Sequence, residues 1–241
     1  MYPMSNRILR TPADLNAEEI RALYAGFALP VTALDCGQKC APHNLSGKPF
    51  CCDICHAVPA AYESEWRALE PVTDLWHVWR GDECDAGDEN PASRCIQVES
   101  ETPSGMLLLA CLGPSRCERE NRLISCRQFP FFPYVTSDYR FLGLAYDWEF
   151  EPVCWVLSNL GRVSEAYRES FVRTYDYIFA LFQDEFDSYA LRSEEMREHF
   201  ASKRRRIPLL HREGGYRLIS PNSERARRVN TSQLPRFGVY R

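Results

Sequence analysis

Apolar positions along the chain switch between helical and strand spacing and predict a mixed fold. Ile20, Leu23, Tyr24 and Phe27 share one side of a helix over 15–27. Residues 60–69 carry a second, shorter helical pattern. The β-rich runs 95–99 and 106–112 flank Glu101-Thr-Pro-Ser-Gly105 and predict a hairpin with a longer loop, and 139–146 predicts a further strand. The clearest pattern follows Ser164, a residue suited to cap a helix: Tyr167, Phe171, Tyr175, Ile178, Phe182, Phe186 and Tyr189 recur every three or four positions. They predict one long helix with an aromatic core face. Beyond it, 207–210 and 216–220 flank Glu213-Gly214-Gly215 as a second hairpin, before an Arg-rich end expected to be disordered.

The fold class expected is α+β: small β hairpins and Cys-rich loops around a metal site, packed with a long amphipathic C-terminal helix. No repeat or Gly/Ser linker interrupts the chain, so 1–200 read as a single cysteine-cluster domain with its core at 35–133, and 201–241 as a basic extension. At 241 residues, 45% of them hydrophobic, the chain is long enough to bury a core without disulfides. Its longest apolar runs, 106–112 and 153–157, fall far short of the roughly 20 residues that cross a bilayer, so no membrane partner is expected. The start lacks a hydrophobic signal core, which predicts a cytoplasmic protein with reduced thiols.

Charge is divided along the chain. Residues 1–196 hold 17 Lys and Arg against 30 Asp and Glu, whereas 197–241 hold 12 against 3. The basic segment is expected to dock on the acidic body, on a protein partner or on a polyanion.

Eleven cysteines change the picture most. The first cluster is Cys36 and Cys40, then an insertion with His43, then Cys51, Cys52, Cys55 and His56. Cys52 and Cys55 form a Cys-x2-Cys pair, the short loop that brings two sulfurs to one metal. Adjacent side chains in extended backbone point to opposite sides, so Cys51 and Cys52 either serve different metals or only one of them ligates. The second cluster is Cys111, Cys117 and Cys126, the last in Cys126-Arg127-Gln128-Phe129-Pro130 with an aromatic run after it. His56 and, less so, His43 could each replace a thiolate.

This arrangement, with a Cys-Cys pair early and Cys, Cys and Cys-Arg-x-Phe-Pro downstream, resembles the zinc- or iron-chelating cysteine-cluster family of CxxCxxCC type. The resemblance spans about 35–133 and implies that eight cysteines, Cys36, Cys40, Cys51, Cys52, Cys55, Cys111, Cys117 and Cys126, bind the metal. The first cluster departs from the family's compact order: Cys36-x3-Cys40 and ten further residues precede Cys51-Cys52. The 118–125 segment lacks the family's Tyr and Arg-Pro pair. Some members, such as the flagellin lysine methylase, carry the cluster inside an enzyme.

The other thiols are expected as spectators: Cys84 at the surface in an acidic turn, Cys95 and Cys154 in the core. His77 is expected beside Trp76 and Trp79, and His199 and His211 at the basic surface. No phosphate loop, dinucleotide fingerprint, nucleophile elbow or His-Glu-x2-His helix occurs. Thiolate ligands favour zinc or iron, an iron–sulfur cluster included, over magnesium or calcium. Three functions stay open: a metal-binding protein with structural or redox metal, a metal-dependent enzyme modifying a protein or small molecule, and a zinc-bearing nucleic-acid binder using the basic tail.

Overall fold

The computed structural model describes residues 10–81, 102 and 105–241. The chain is α+β, with helices packed against two antiparallel sheets. Helix α1 (Ala17–Gly26) starts where Asn16 accepts hydrogen bonds from the backbone N–H groups of Glu18 and Glu19, while Glu19 accepts from Asn16 N–H. That reciprocal cap satisfies donors the first turn would leave bare. Ile20, Leu23 and Tyr24 are its buried stripe.

Residues 60–69 divide into strand β1 (Ala60–Tyr62) and helix α3 (Glu63–Leu69), after the one-turn helix α2 (Gly37–Cys40). Strand β3 (Met106–Cys111) lies between β1 and β2 (Trp76–Val78) in a three-stranded sheet. The expected partner run 95–99, with Cys84 and Cys95, lies outside the described residues. Trp76 and Trp79 are buried but His77 faces solvent, because strand periodicity turns it away from Trp76.

Helix α4 (Ile124–Gln128) leads into strand β4 (Phe131–Val135), which is buried along its whole length. The aromatic run therefore forms a fully buried edge strand of a sheet, where the sequence suggested only a wall. β4 pairs with β5 (Phe141–Tyr146), β5 with β6 (Ile207–His211), β6 with β7 (Tyr216–Ile219), and β7 with β8 (Ala226–Val229). β6 and β7 are the second hairpin expected at 207–220, whereas β8 forms in the Arg-rich end that was expected to be disordered. The sequence of 207–210 is apolar throughout and buried in the same core as β5.

The single long helix expected from Ser164 is two. Helix α5 (Glu165–Leu181) is capped by Ser164, whose Oγ accepts from Tyr167 N–H, and ends at Phe182, which is extended at φ −128° and ψ 100°. Helix α6 (Gln183–Ser202) then begins with Asp184 and Glu185, acids that suit the positive end of a helix. The break brings the aromatic stripe together on itself: Phe179 meets Phe186 edge-on at 4.9 Å, and the Tyr175 and Tyr189 rings lie 5.3 Å apart. Tyr167, Phe171, Tyr175 and Ile178 are fully buried, as their spacing predicts. No helix among the described residues is long and apolar enough to cross a membrane.

Candidate metal centre

Cysteines reach one region from five separate stretches of chain. The loop before Cys36 is pinned to the start of α5 by a Thr32–Val163 bridge and by Ser164 N–H donating to Val31 O. Cys36 and Cys40 bracket α2, and Cys51 and Cys52 sit on a helical turn at Phe50–Cys52. Asp53 braces that turn. Its carboxylate accepts from Asn44 Nδ2 at 2.9 Å, Ser46 Oγ at 2.7 Å and Cys55 N–H at 3.2 Å. Burial opposes its ionisation, but these donors outweigh burial and hold Asp53 below the ordinary aspartate value.

Cys111 ends β3, and Cys117 follows a turn that Gly113 opens at φ +93°. Cys126 lies in α4, whose first turn is set by buried Glu65: one oxygen accepts from Ile124 N–H and Tyr24 Oη, the other from Tyr62 N–H. Arg127 locks the same region. Its guanidinium donates to five carbonyls, those of Tyr24 and Phe27 at the end of α1 and those of Arg119, Glu120 and Arg122 in the loop after Cys117. The Cys126-Arg127 step of the sequence motif thus fixes both the helix with one thiol and the loop beside another.

The eight thiols that are free among the described residues are Cys36, Cys40, Cys51, Cys52, Cys111, Cys117, Cys126 and Cys154. Cys55 is disulfide-bonded, so its sulfur is not a free thiolate donor, contrary to the ligand role its Cys-x2-Cys spacing implied. Cys154 packs against the core, as expected. Its turn, closed by Cys154 N–H on Phe150 O, also puts it within electrostatic range of Cys36, Cys40 and Cys51, which the sequence did not suggest. On the other side, Cys126 interacts with Cys111, Cys52 and Cys117. The interactions fall into two overlapping sets, one around Cys36 and Cys154 and one around Cys111 and Cys126; Cys40 also feels Cys52, and Cys51 and Cys52 lie 3.9 Å apart, sulfur to sulfur.

Burial pushes most of these thiols up, Cys154 to about 12, with Cys36, Cys40, Cys111 and Cys126 shifted the same way. Cys52 moves down, because Cys51 donates to it and the Arg122 guanidinium stands nearby. Arg122 Nε also donates to Cys117 Sγ at 3.1 Å and is in range of Cys126. Arg122 was not singled out in the sequence, where it is one arginine in a charged run.

Among the described residues, no three His, Cys, Asp or Glu side chains stand arranged to hold one ion. The donor set nevertheless fits a soft metal: eight free thiols converge, with the half-buried Arg122 beside them to support thiolate. His56 lies edge-on to Phe50 at 4.9 Å and His43 edge-on to Tyr240 at 5.4 Å. A cleft of about 560 Å³ opens between the thiol groups, with Cys36, Cys51, Cys117, Arg119, Arg122 and Phe129 on its walls.

The C-terminal end closes the far side. Tyr240 Oη donates to Val153 O at 3.2 Å, and Phe237 N–H donates to Ser158 Oγ at 2.8 Å. Gly238, at φ +51°, passes so close to Pro152 that a Cβ there would stand 1.9 Å from the Pro152 carbonyl oxygen. The end of the basic segment is therefore a wall of the thiol region.

No family model, curated protein or solved structure matches the chain. The resemblance to the cysteine-cluster family rests on the cysteine pattern and the Cys-Arg-x-Phe-Pro segment.

Proposed function

We propose that the protein is a cysteine-cluster metal-binding protein carrying zinc or iron, the latter alone or as an iron–sulfur cluster. The observation that supports this reading is the convergence of eight free thiols from distant stretches of chain, which core packing alone does not require. Cys36, Cys40, Cys51 and Cys154 would hold one metal centre, and Cys52, Cys111, Cys117 and Cys126 a second. Four thiolates suit tetrahedral zinc and iron–sulfur ligation alike. When bound, the metal would cross-link α2, β3, α4 and the turn at Cys154, or carry an electron if it is iron. Arg122 offsets thiolate charge at the second group.

The cleft beside the thiols supports a second reading, a metal-dependent enzyme acting on a protein or small molecule. Metal and acid-labile sulfide analysis of anaerobically purified protein tests the primary proposal. Zinc or iron above one equivalent per chain supports it, and protein free of both metals contradicts it. Cytoplasmic location belongs to the same proposal, with the eight free thiols reduced; the Cys55 disulfide departs from the expectation that all thiols are reduced.

A further inference from the structure

The β6–β7 turn gathers more positive than negative charge. Gly214 and Gly215, at φ +107° and +70°, form its tip. A methyl group on Gly214 would stand 3.4 Å from Arg168 Nη2, and one on Gly215 would stand 3.7 Å from Arg217 Nη1 and 3.9 Å from Arg228 Nε and Nη2. Three guanidinium groups from α5, β7 and β8 therefore meet at one glycine turn.

Arg217 and Arg228 face each other directly across the β7–β8 ladder. Like charges in that relation destabilise a sheet unless something neutralises them. Among the described residues neither pairs with a carboxylate, and Arg217 donates only to its neighbour's carbonyl, Tyr216 O. Arg168 pairs with Glu165, yet its Nε is buried and finds no acceptor among the described residues, while the residue as a whole is 8% exposed. A donor buried without an acceptor is costly, so a ligand that accepts from it would be favoured. The half-buried His211 ring is held below the ordinary histidine value first by burial, then by Arg217, with Arg168 and Arg212 adding and only Glu213 opposing. Arg212 is itself paired, with Asp176.

We infer that the Gly214–Gly215 turn, with Arg168, Arg217 and Arg228, is a binding site for a phosphate group. Guanidinium forks match phosphate oxygens two at a time, and a glycine turn at positive φ lets an anion approach the backbone closely. The phosphate can belong to a small molecule or to the phosphodiester chain of a nucleic acid. This site is separate from the thiol region and does not depend on a metal there.

The test measures binding of inorganic phosphate and of a short single-stranded oligonucleotide to the full chain and to Arg217→Gln, Arg228→Gln and Arg236→Gln. The last removes the same charge from an exposed position elsewhere. The expected result is saturable binding that falls at least tenfold in Arg217→Gln and Arg228→Gln and less than twofold in Arg236→Gln. Phosphate binding without oligonucleotide binding assigns the small-molecule source; oligonucleotide binding that phosphate competes away assigns the phosphodiester source. In phosphate-free buffer Arg228→Gln should melt higher than wild type, since it relieves the facing arginines, and added phosphate should raise the melting temperature of wild type and Arg236→Gln but not of the two site variants. No binding of either probe overturns the inference, as does equal weakening by Arg236→Gln or binding indifferent to both site variants.

Discussion

Arg122 Nε donates to Cys117 Sγ at 3.1 Å, an arginine set against a thiol rather than a carboxylate. The same guanidinium helps hold Cys52 below its ordinary value and opposes the burial that raises Cys126. Replacing Arg122 with Gln should make these two thiols harder to ionise, so metal loading should need a higher pH. Neighbours of metal ligands of this kind are worth about 10–100-fold in affinity. Competition with a coloured chelator across a pH series measures it, and a loading midpoint that stays put or moves down would be the wrong result.

Arg127 ties the end of α1 to the loop between Cys117 and α4 through five carbonyls. Removing it strands several of those acceptors in the interior, each at about 1–3 kcal/mol. Arg127→Ala should cost about 3 kcal/mol or more of stability, and Arg127→Lys should recover only part, because an ammonium group cannot span the set. Urea unfolding of the three proteins checks both the size and the order.

Gly238 sits where a side chain has no room. Gly238→Ala would force its Cβ against the Pro152 carbonyl at a backbone angle that favours glycine, and should cost about 2 kcal/mol or more. Because this end of the chain packs beside Cys154, the variant should also speed thiol labelling there, read by mass spectrometry after brief alkylation. Unchanged stability and unchanged labelling would detach the C-terminal end from the thiol region.

Asp53 gives the Cys51–Cys55 stretch an acid limit. Its carboxyl is held below the ordinary value of 3.8 in the folded chain. The stability it contributes is complete above the unfolded value and is lost as pH falls through the lower folded one. Asp53→Asn should therefore destabilise the protein at pH 7, and the difference from wild type should shrink below about pH 4. Equal differences at both pH values would assign the loss to shape rather than charge.

How much of this was legible in the sequence depended on range. The stripe from Tyr167 to Ile178 reads directly because a helix repeats its buried face every three to four residues. The break at Phe182 did not read: the apolar spacing continues through it, and only Gln183-Asp184-Glu185 hints at a new N-terminus. The β6–β7 hairpin read from its glycine turn, but β8 did not, because it is an exposed edge strand paired only with β7 and its arginines hide that pairing. Cys126 and Cys117 were legible from spacing. Cys154 was not, because no local pattern joins it to Cys36 or Cys51; only the fold brings them together. Cys55 carried the most familiar chelate spacing and is the one described thiol held in a disulfide.

Cys154 is therefore where the account is tested most directly. The measurement is zinc, iron and acid-labile sulfide per chain, determined anaerobically for wild type, Cys154→Ser, Cys126→Ser and Cys55→Ser. Serine keeps the shape but removes a soft donor. The account predicts metal in wild type, a large loss in both Cys154→Ser and Cys126→Ser, and retention in Cys55→Ser. Metal content unchanged by Cys154→Ser and Cys126→Ser, or lost only in Cys55→Ser, would contradict the eight-thiol centre.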